Sequence, residues 1–203
     1  MGRPRSKQRD DLVISAMSVF WRQGFGSTSM ADLVKATGVS RGGIYADFGG
    51  KEDLFLSCLG AYREHYIEPA LTLLTEEGDG LSAIESYFDL FIELHRRHGM
   101  PGPGCFFANA MTEQAPHNPR VAAEVNQHMT DLQTAFLTAL DRCSGNHAAD
   151  ISDVDRMELA SFLATASQGL WSYGRSTSTL GELISFKSAL LKLLRARLDA
   201  VSV

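Results

Sequence analysis

The feature that most constrains this chain is a pair of short helical stretches near its N-terminus that meet at a single glycine. Ser29 and Ser40 are good N-caps for helices over about 30–36 and 41–47. Gly38 separates the two stretches and can adopt a positive φ at little cost, which lets the chain turn sharply. The apolar residues around this glycine have the spacing that packs two short helices together: Leu33, Val39 and Ile44. The pattern predicts a helix-turn-helix, a motif that places its second helix in the major groove of DNA.

The second of these helices has almost no side chains where it begins. Gly42 and Gly43 follow Arg41, although glycine costs about 1 kcal/mol relative to alanine inside a helix. Such a stretch is useful where a backbone must come close to DNA, and a helix N-terminus also favours phosphate. We therefore expect this helix to present Arg41, Gly42, Gly43 and Tyr45 outward, toward DNA.

Charge is unevenly distributed along the chain. The total is −5 at pH 7, which by itself disfavours nonspecific binding to nucleic acid. Residues 1–52 carry eight Lys/Arg and five Asp/Glu, a net charge of +3, so the remaining residues carry −8. A basic end on an acidic body suits a protein that contacts phosphate at one end only.

The remainder of the chain has the pattern of an all-α protein. Apolar residues recur at spacings of three and four between Gly/Pro breaks, and no segment shows sustained period-2 alternation. About nine helices are predicted, the fourth over about 51–75 and the last two over about 153–175 and 181–201. We expect a helix-turn-helix domain over residues 1–56 and a second helical domain over 57–203.

The cysteines and the length of the apolar runs limit which classes of protein remain possible. Cys58, Cys105 and Cys143 are odd in number and far apart, which disfavours a disulfide framework or a CxxC-type zinc site. No apolar run reaches the roughly 18 residues of a membrane helix, and the polar N-terminus lacks the apolar segment of a signal peptide. We expect a soluble, cytoplasmic protein that binds no membrane, cofactor or metal.

The first quarter of the chain resembles the DNA-binding domain of the TetR family. The resemblance rests on GVSRGGIY at residues 38–45 and KEDLF at 51–55, together with Gly24-Phe25 and Thr28-Ser29-Met30 before them. It covers about residues 8–56. It implies an all-α homodimer whose two recognition helices enter successive major grooves of a palindromic operator. It also implies a C-terminal ligand-sensing and dimerisation domain, and hence a ligand-responsive transcriptional repressor.

The same resemblance assigns roles to individual residues. Thr28 matches a hydroxyl that contacts the DNA backbone, Tyr45 a phosphate-contacting tyrosine, and Lys51 a phosphate-binding lysine. Arg41, at the start of the recognition helix, is predicted to contact a phosphate or a guanine. The predicted DNA-binding residues are Arg3, Arg5, Thr28, Ser40, Arg41, Gly42, Gly43, Tyr45 and Lys51.

Arg3 and Arg5 belong to a short basic end that precedes the first helix. Pro4 spaces the two arginines. Beside a helix-turn-helix, such an end is typical of an arm that reaches into a minor groove or along phosphate. A solvated tail without a role in binding is the alternative.

Aromatic residues of the C-terminal domain are candidates to line the ligand cavity that the resemblance implies. Small-molecule cavities are mostly apolar, with a few polar groups that orient the ligand. His95, Asn109 and Gln168 are interleaved with aromatic residues, although His95 also fits a helix-end residue without a role. The predicted ligand-binding residues are Phe88, Phe91, His95, Cys105, Phe106, Asn109, Gln168 and Trp171.

Cys105 is the most specific of these predictions. It follows Pro103-Gly104 and begins the sixth predicted helix, where the helix dipole and free N–H groups lower the pKa of a thiol. The Gly-Cys pair resembles a subgroup of the TetR family, some of whose members sense electrophiles or oxidants through a cysteine. A small residue at a tight packing position is the alternative.

Dimerisation is predicted from the last two helices. Each carries a wide apolar stripe, so that one face can pack on the body of the protein and the other on a partner copy. The residues of the two stripes are Leu159, Leu163, Ala166, Leu170, Tyr173, Leu183, Phe186, Leu190, Leu194 and Leu198.

Two other functions remain open at this point. The chain can be a DNA-binding regulator that no small ligand controls, or a redox or electrophile sensor that acts through Cys105. An enzyme is not predicted, because no acid is placed to orient His95 or His117 beside Cys105.

Overall fold

The computed structural model describes residues 5–76, 78–143, 152–176 and 179–199, which contain helices and no strand. Its helices are α1 (Arg5–Gln23), α2 (Met30–Thr37), α3 (Arg41–Phe48), α4 (Lys51–Tyr62), α5 (Glu68–Thr75), α6 (Gly80–His98), α7 (Phe106–Glu113), α8 (Pro119–Leu140), α9 (Asp153–Tyr173) and α10 (Leu180–Asp199). A π-helical turn, Arg63–Ile67, joins α4 to α5, so residues 51–75 are helical throughout. With that segment counted once, the described residues form nine helices, and the predicted all-α fold is confirmed.

Side-chain caps and positive-φ glycines set the ends of α2 and α3. The Ser29 hydroxyl accepts a hydrogen bond from the N–H of Asp32 at 3.1 Å, and the Asp32 carboxylate accepts one from the N–H of Ser29 at 2.8 Å. This capping box satisfies two N–H groups that a helix start leaves without partners. Gly38 ends α2 at φ 70°, and Ser40 begins α3 by accepting from the N–H of Gly43 at 3.2 Å. The helix-turn-helix predicted from the sequence is therefore present.

The chain divides into two compact units. Unit 1 comprises Met1–Ile67 and Phe106–Val125. In it, α1 packs against α2 and α4, while α3 and α7 also pack against α4. Its core consists mainly of Leu12, Ala16, Phe20, Leu33, Ile44, Leu54, Phe55, Leu59 and Tyr62. Burial of each large side chain contributes about 1.5–3 kcal/mol, which holds the short helices α2 and α3 in place.

Unit 2 comprises Glu68–Cys105 and Asn126–Val203. In it, α6 packs against α5 and α10. The largest buried side chains of this unit are Tyr87, Phe88, Phe136 and Trp171. No described helix combines the length and the apolar character that crossing a membrane requires. The domain boundary predicted after residue 56 separates a DNA-binding domain from a ligand-sensing and dimerisation domain. This boundary stays a prediction.

Candidate functional site

α3 presents its first residues to solvent because its apolar residues are used for packing. Ile44 and Phe48 are buried, whereas Arg41 and Gly42 are exposed and Tyr45 keeps 44% of its surface accessible. The Arg41 guanidinium lies over the Tyr45 ring, 5.6 Å from its centroid. A cation and a phenol thus lie together on one exposed helix face, as a phosphate- or base-contacting surface needs.

The two glycines of α3 have different surroundings. A Cβ atom at Gly43 would lie 2.8 Å from Cγ1 of Val39, whereas a Cβ at Gly42 would meet nothing within 4 Å. A side chain at position 43 would therefore crowd Val39, in the turn that precedes α3, and force its side chain to shift. Packing within the described residues gives no reason for a glycine at position 42, and its close approach to DNA stays a prediction.

Gly42→Ala is expected to stabilise the fold and weaken operator binding. Alanine raises the free energy of unfolding by up to about 1 kcal/mol in a helix, but its methyl group projects from the exposed face of α3 that is predicted to approach DNA. Urea unfolding and gel-shift titration measure the two effects. The control is Gly60→Ala in α4, where a Cβ also meets nothing within 4 Å. Unchanged operator affinity in Gly42→Ala would show that position 42 does not approach DNA closely.

Lys51 and Thr28, the other predicted contacts to the DNA backbone, have different environments. Lys51 begins α4, and its Nζ atom lies 4.1 Å from the centroid of the Phe25 ring. Partial burial lowers the pKa of Lys51, and the negative charge of Glu113 opposes that shift. Thr28 is buried, and its hydroxyl donates to the carbonyl of Gly24 at 2.6 Å. A DNA contact through the Thr28 hydroxyl would therefore have to replace or share this bond, and its role stays a prediction.

The predicted arm is only partly covered by the structure. Arg3 lies outside the described residues, and Arg5 is the first residue of α1, with its side chain outside them as well. The role of both arginines in DNA binding stays a prediction.

Four of the predicted ligand-binding residues meet in the core of unit 2. The Trp171 ring lies 4.8 Å from the Phe91 ring and 5.9 Å from the Phe88 ring, between centroids. His95 stacks on the same indole at 5.8 Å. All four side chains are buried, so they form one aromatic cluster in the core of unit 2, and their role in binding a ligand stays a prediction.

Polar atoms lie inside this aromatic core. Nδ1 of His95 donates to the carbonyl of Phe91 at 2.9 Å, because a carbonyl can only accept. Nε2 of His95 and Oε1 of Gln168 are buried and make no hydrogen bond within the described residues. Burial lowers the pKa of His95, and the bond to Phe91 opposes that shift. The imidazole is therefore neutral at pH 7 and offers a hydrogen-bond acceptor at Nε2.

His128 is a buried polar residue that sequence reasoning missed. The Gln168 amide nitrogen donates to Nε2 of His128 at 3.3 Å, and only 1% of His128 is exposed. The signal was present in the sequence, because position 128 continues the apolar stripe of α8. The other members of that stripe are Val121, Val125, Leu132 and Phe136.

The remaining ligand candidates lie around the start of α7. Cys105 belongs to unit 2 and is only 1% exposed. Phe106 and Asn109 belong to unit 1, where the Phe106 ring packs edge-on against Phe55 at 5.2 Å. A thiol must be accessible to react with a reagent in solution, so this conformation does not favour Cys105 as a sensor.

An open groove of about 680 Å³ lies in unit 1 between α1 and α4. None of the predicted ligand-binding residues lines it. The charged or titratable residues on its wall are Arg9, Asp10, Asp11, Glu64 and His65. Since both signs of charge are present, no ligand class follows from the groove.

Two family models match separate parts of the chain. Residues 12–58 match the model described as "Bacterial regulatory proteins, tetR family". Residues 80–179 match the model described as "Tetracyclin repressor-like, C-terminal domain". The first match contains α2, α3 and the start of α4, and the second contains the aromatic cluster around Trp171.

Curated relatives and solved structures agree with these matches. The HTH-type transcriptional repressor ComR of Escherichia coli (strain K12) is 30% identical over 194 residues, which are 95% of this chain and 91% of the relative. The HTH-type transcriptional activator FasR of Mycolicibacterium smegmatis is 30% identical over 149 residues, 71% of this chain and 64% of the relative. A cysteine variant of the TetR family transcriptional regulator CifR, solved with 26-bp double-strand operator DNA, is 26% identical. The match has a TM-score of 0.76 and covers 94% of this chain and 98% of that one.

Proposed function

Because this chain belongs to the TetR family of bacterial transcriptional regulators, we propose that it represses transcription as a homodimer on a palindromic operator and releases the operator when a small hydrophobic molecule binds. The observation that carries the proposal is the exposed face of α3. There, Arg41 and Tyr45 lie beside a glycine that the packing of the described residues does not require. Repression is supported by the name of ComR, which the chain matches over 95% of its length. A regulator that binds DNA is also expected to act in the cytoplasm, where bacterial DNA lies.

The aromatic core of unit 2 supports control by a ligand. A mostly apolar site with a few buried polar groups is typical of small-molecule binding, and Nε2 of His95 and Oε1 of Gln168 are such groups. A ligand that binds better to the DNA-free conformation must weaken operator affinity by the same factor by which DNA weakens ligand affinity. We expect an inducer with a hydrophobic body and at least one hydrogen-bond donor, since both atoms are acceptors when His95 is neutral.

Exposed apolar residues on α9 and α10 support dimerisation through unit 2. Several large apolar side chains of these helices remain accessible although the helices also contribute to a core: Val154, Met157, Phe162, Tyr173, Ile184, Phe186 and Leu193. Exposed apolar surface on two consecutive helices favours a four-helix bundle with a second copy across a two-fold axis. Two copies are also what a palindromic operator requires.

Leu193→Asp is expected to convert the dimer to a monomer at micromolar concentration. Leu193 is 66% exposed in one chain, so the change costs little in the monomer but puts a carboxylate into the apolar interface of a dimer. Sedimentation velocity measures the result. The control is Ile14→Asp on α1, which makes the same kind of change at an exposed apolar residue outside α9 and α10. A dimer that persists in Leu193→Asp contradicts this interface.

The experiment that tests the function is a gel-shift titration of the purified protein against the DNA upstream of its own gene. It is repeated with a panel of hydrophobic compounds, aldehydes and quinones. We expect a discrete complex that one class of compound releases. Release by aldehydes or quinones in the native protein but not in Cys105→Ser would support the sensor alternative. A discrete complex that no compound releases would favour a regulator without a ligand.

A further inference from the structure

Glu113, the last residue of α7, binds the loop that joins α1 to α2. Its carboxylate accepts hydrogen bonds from two successive backbone N–H groups, that of Phe25 at 2.9 Å and that of Gly26 at 2.7 Å. Successive N–H groups form concavities that bind anions, and charge-assisted hydrogen bonds are roughly twice as strong as neutral ones. The partners are 88 and 87 residues apart in sequence, and all of them belong to unit 1.

The loop is shaped to receive this carboxylate. Gly24 has a φ of +87°, and a Cβ atom there would lie 2.9 Å from Oε2 of Glu113. A Cβ at Gly26 would lie 3.2 Å from Oε1. The N–H of Gly24 meanwhile ends α1 by donating to the carbonyl of Phe20 at 2.8 Å. Glycines at positions 24 and 26 therefore leave the room in which Glu113 reaches the backbone between them.

Residues predicted to contact DNA are attached to the same loop. The hydroxyl of Thr28 is bonded to the carbonyl of Gly24. The Nζ atom of Lys51 lies over the ring of Phe25, whose N–H binds Glu113. The negative charge of Glu113 also acts on Lys51, where it raises the pKa against the effect of burial. If the Glu113 carboxylate no longer bound the loop, the contacts that hold Thr28 and Lys51 would both change.

We propose that Glu113 is a positioning residue for operator binding, which holds the α1–α2 loop and, through the Phe25 ring, Lys51 in the arrangement that contacts DNA. The inference rests on the proposed function, since it concerns how the DNA-binding face is held. It also attaches α7 to that face through the two hydrogen bonds of Glu113. α7 follows Cys105 directly in the chain and carries two predicted ligand-binding residues, Phe106 and Asn109.

Glu113→Gln tests the proposal because the loss of charge and the loss of positioning predict opposite changes in operator affinity. Loss of a negative charge near DNA by itself strengthens binding to phosphate. Loss of positioning weakens it, and we expect operator affinity to fall roughly tenfold, as for a lost charged hydrogen bond. The matched control is Glu124→Gln, an exposed glutamate on α8 in the same unit. The control is expected to bind operator as tightly as the native protein or slightly more tightly.

The salt dependence of binding separates positioning from a general loss of stability. If Glu113 positions Lys51, the slope of log K against log [salt] decreases by about one for each phosphate contact that is lost. Glu113→Gln and Lys51→Ala are then non-additive in a double-mutant cycle, because the second change finds the contact already lost. If Glu113→Gln folds poorly, Gly26→Ala replaces it in the cycle, because the added methyl group crowds the same carboxylate. The same non-additivity with Lys51→Ala is then expected.

Three results would overturn the proposal: native or tighter operator affinity in Glu113→Gln, a lower melting temperature with an unchanged salt slope, or additivity with Lys51→Ala. Failure of the proposed function is distinguishable from these outcomes. A native protein that binds no specific DNA contradicts the function. A native protein that binds its operator and loses it in Arg41→Ala, but not in Glu113→Gln, contradicts only the role of Glu113.

Discussion

Replacing Arg41 with alanine is expected to weaken operator binding by about 30-fold or more, since a bidentate arginine–guanine contact contributes about 1–3 kcal/mol and a dimer makes it twice. Arg41 is the first residue of α3 and is exposed, with its guanidinium over the Tyr45 ring. The core of unit 1 does not include it. The melting temperature is therefore expected to stay near the native value while affinity falls.

The measurement is a gel-shift or fluorescence-anisotropy titration at several salt concentrations. A guanine contact predicts a loss confined to specific DNA, and a phosphate contact predicts a uniform loss with a smaller salt slope. Arg96→Ala is the matched control, because Arg96 is an exposed arginine on α6 that pairs with Glu93. Such pairs contribute little to stability, so operator affinity should stay within about twofold. Native operator affinity in a folded Arg41→Ala variant would contradict the assignment of α3 as the recognition helix.

Gly80→Ala is expected to lower the free energy of unfolding by about 3 kcal/mol or more. Gly80 is the buried first residue of α6, and its N–H donates to the carbonyl of Arg142 at 3.2 Å. A Cβ atom at this position would lie 1.8 Å from the carbonyl oxygen of Ala139. Because the clash is with backbone, no side-chain rotation relieves it, and the end of α8 must move away from α6.

Circular dichroism during thermal and urea unfolding measures this loss. For a chain of about 200 residues, about 3 kcal/mol corresponds to a fall in melting temperature of roughly 10 °C. Gly60→Ala is the control, since it makes the same change inside a helix where the Cβ has open space. A melting temperature within about 2 °C of the native value in Gly80→Ala would contradict the close packing of α6 on the end of α8.

The sequence predicts the helices of this fold well because their ends are determined locally. Ser29, Gly38 and Ser40 act through hydrogen bonds and backbone conformations that involve residues within a few positions. The helix-turn-helix and the continuous helical segment over 51–75 were therefore predictable. The π-helical turn within that segment was not, since no Pro or Gly marks residues 63–67.

The candidate site is less predictable because its contacts depend on tertiary partners. Nothing near Glu113 in sequence indicates that it binds the N–H groups of Phe25 and Gly26. Likewise, a threonine at position 28 is compatible with a DNA contact, but only the structure places its hydroxyl against the carbonyl of Gly24. Local patterns thus predict which residues can act, and long-range contacts decide how they are held.

The most direct test of the central claim is selection of bound sequences from random double-stranded DNA by the full-length protein, followed by measurement of the stoichiometry on the selected sequence. We predict an inverted repeat whose half-sites are centred about one helical turn, or a multiple of it, apart. We further predict protomers bound in multiples of two. Failure to enrich any sequence, or enrichment of an unrepeated site occupied by one protomer, would contradict a dimeric operator-binding regulator.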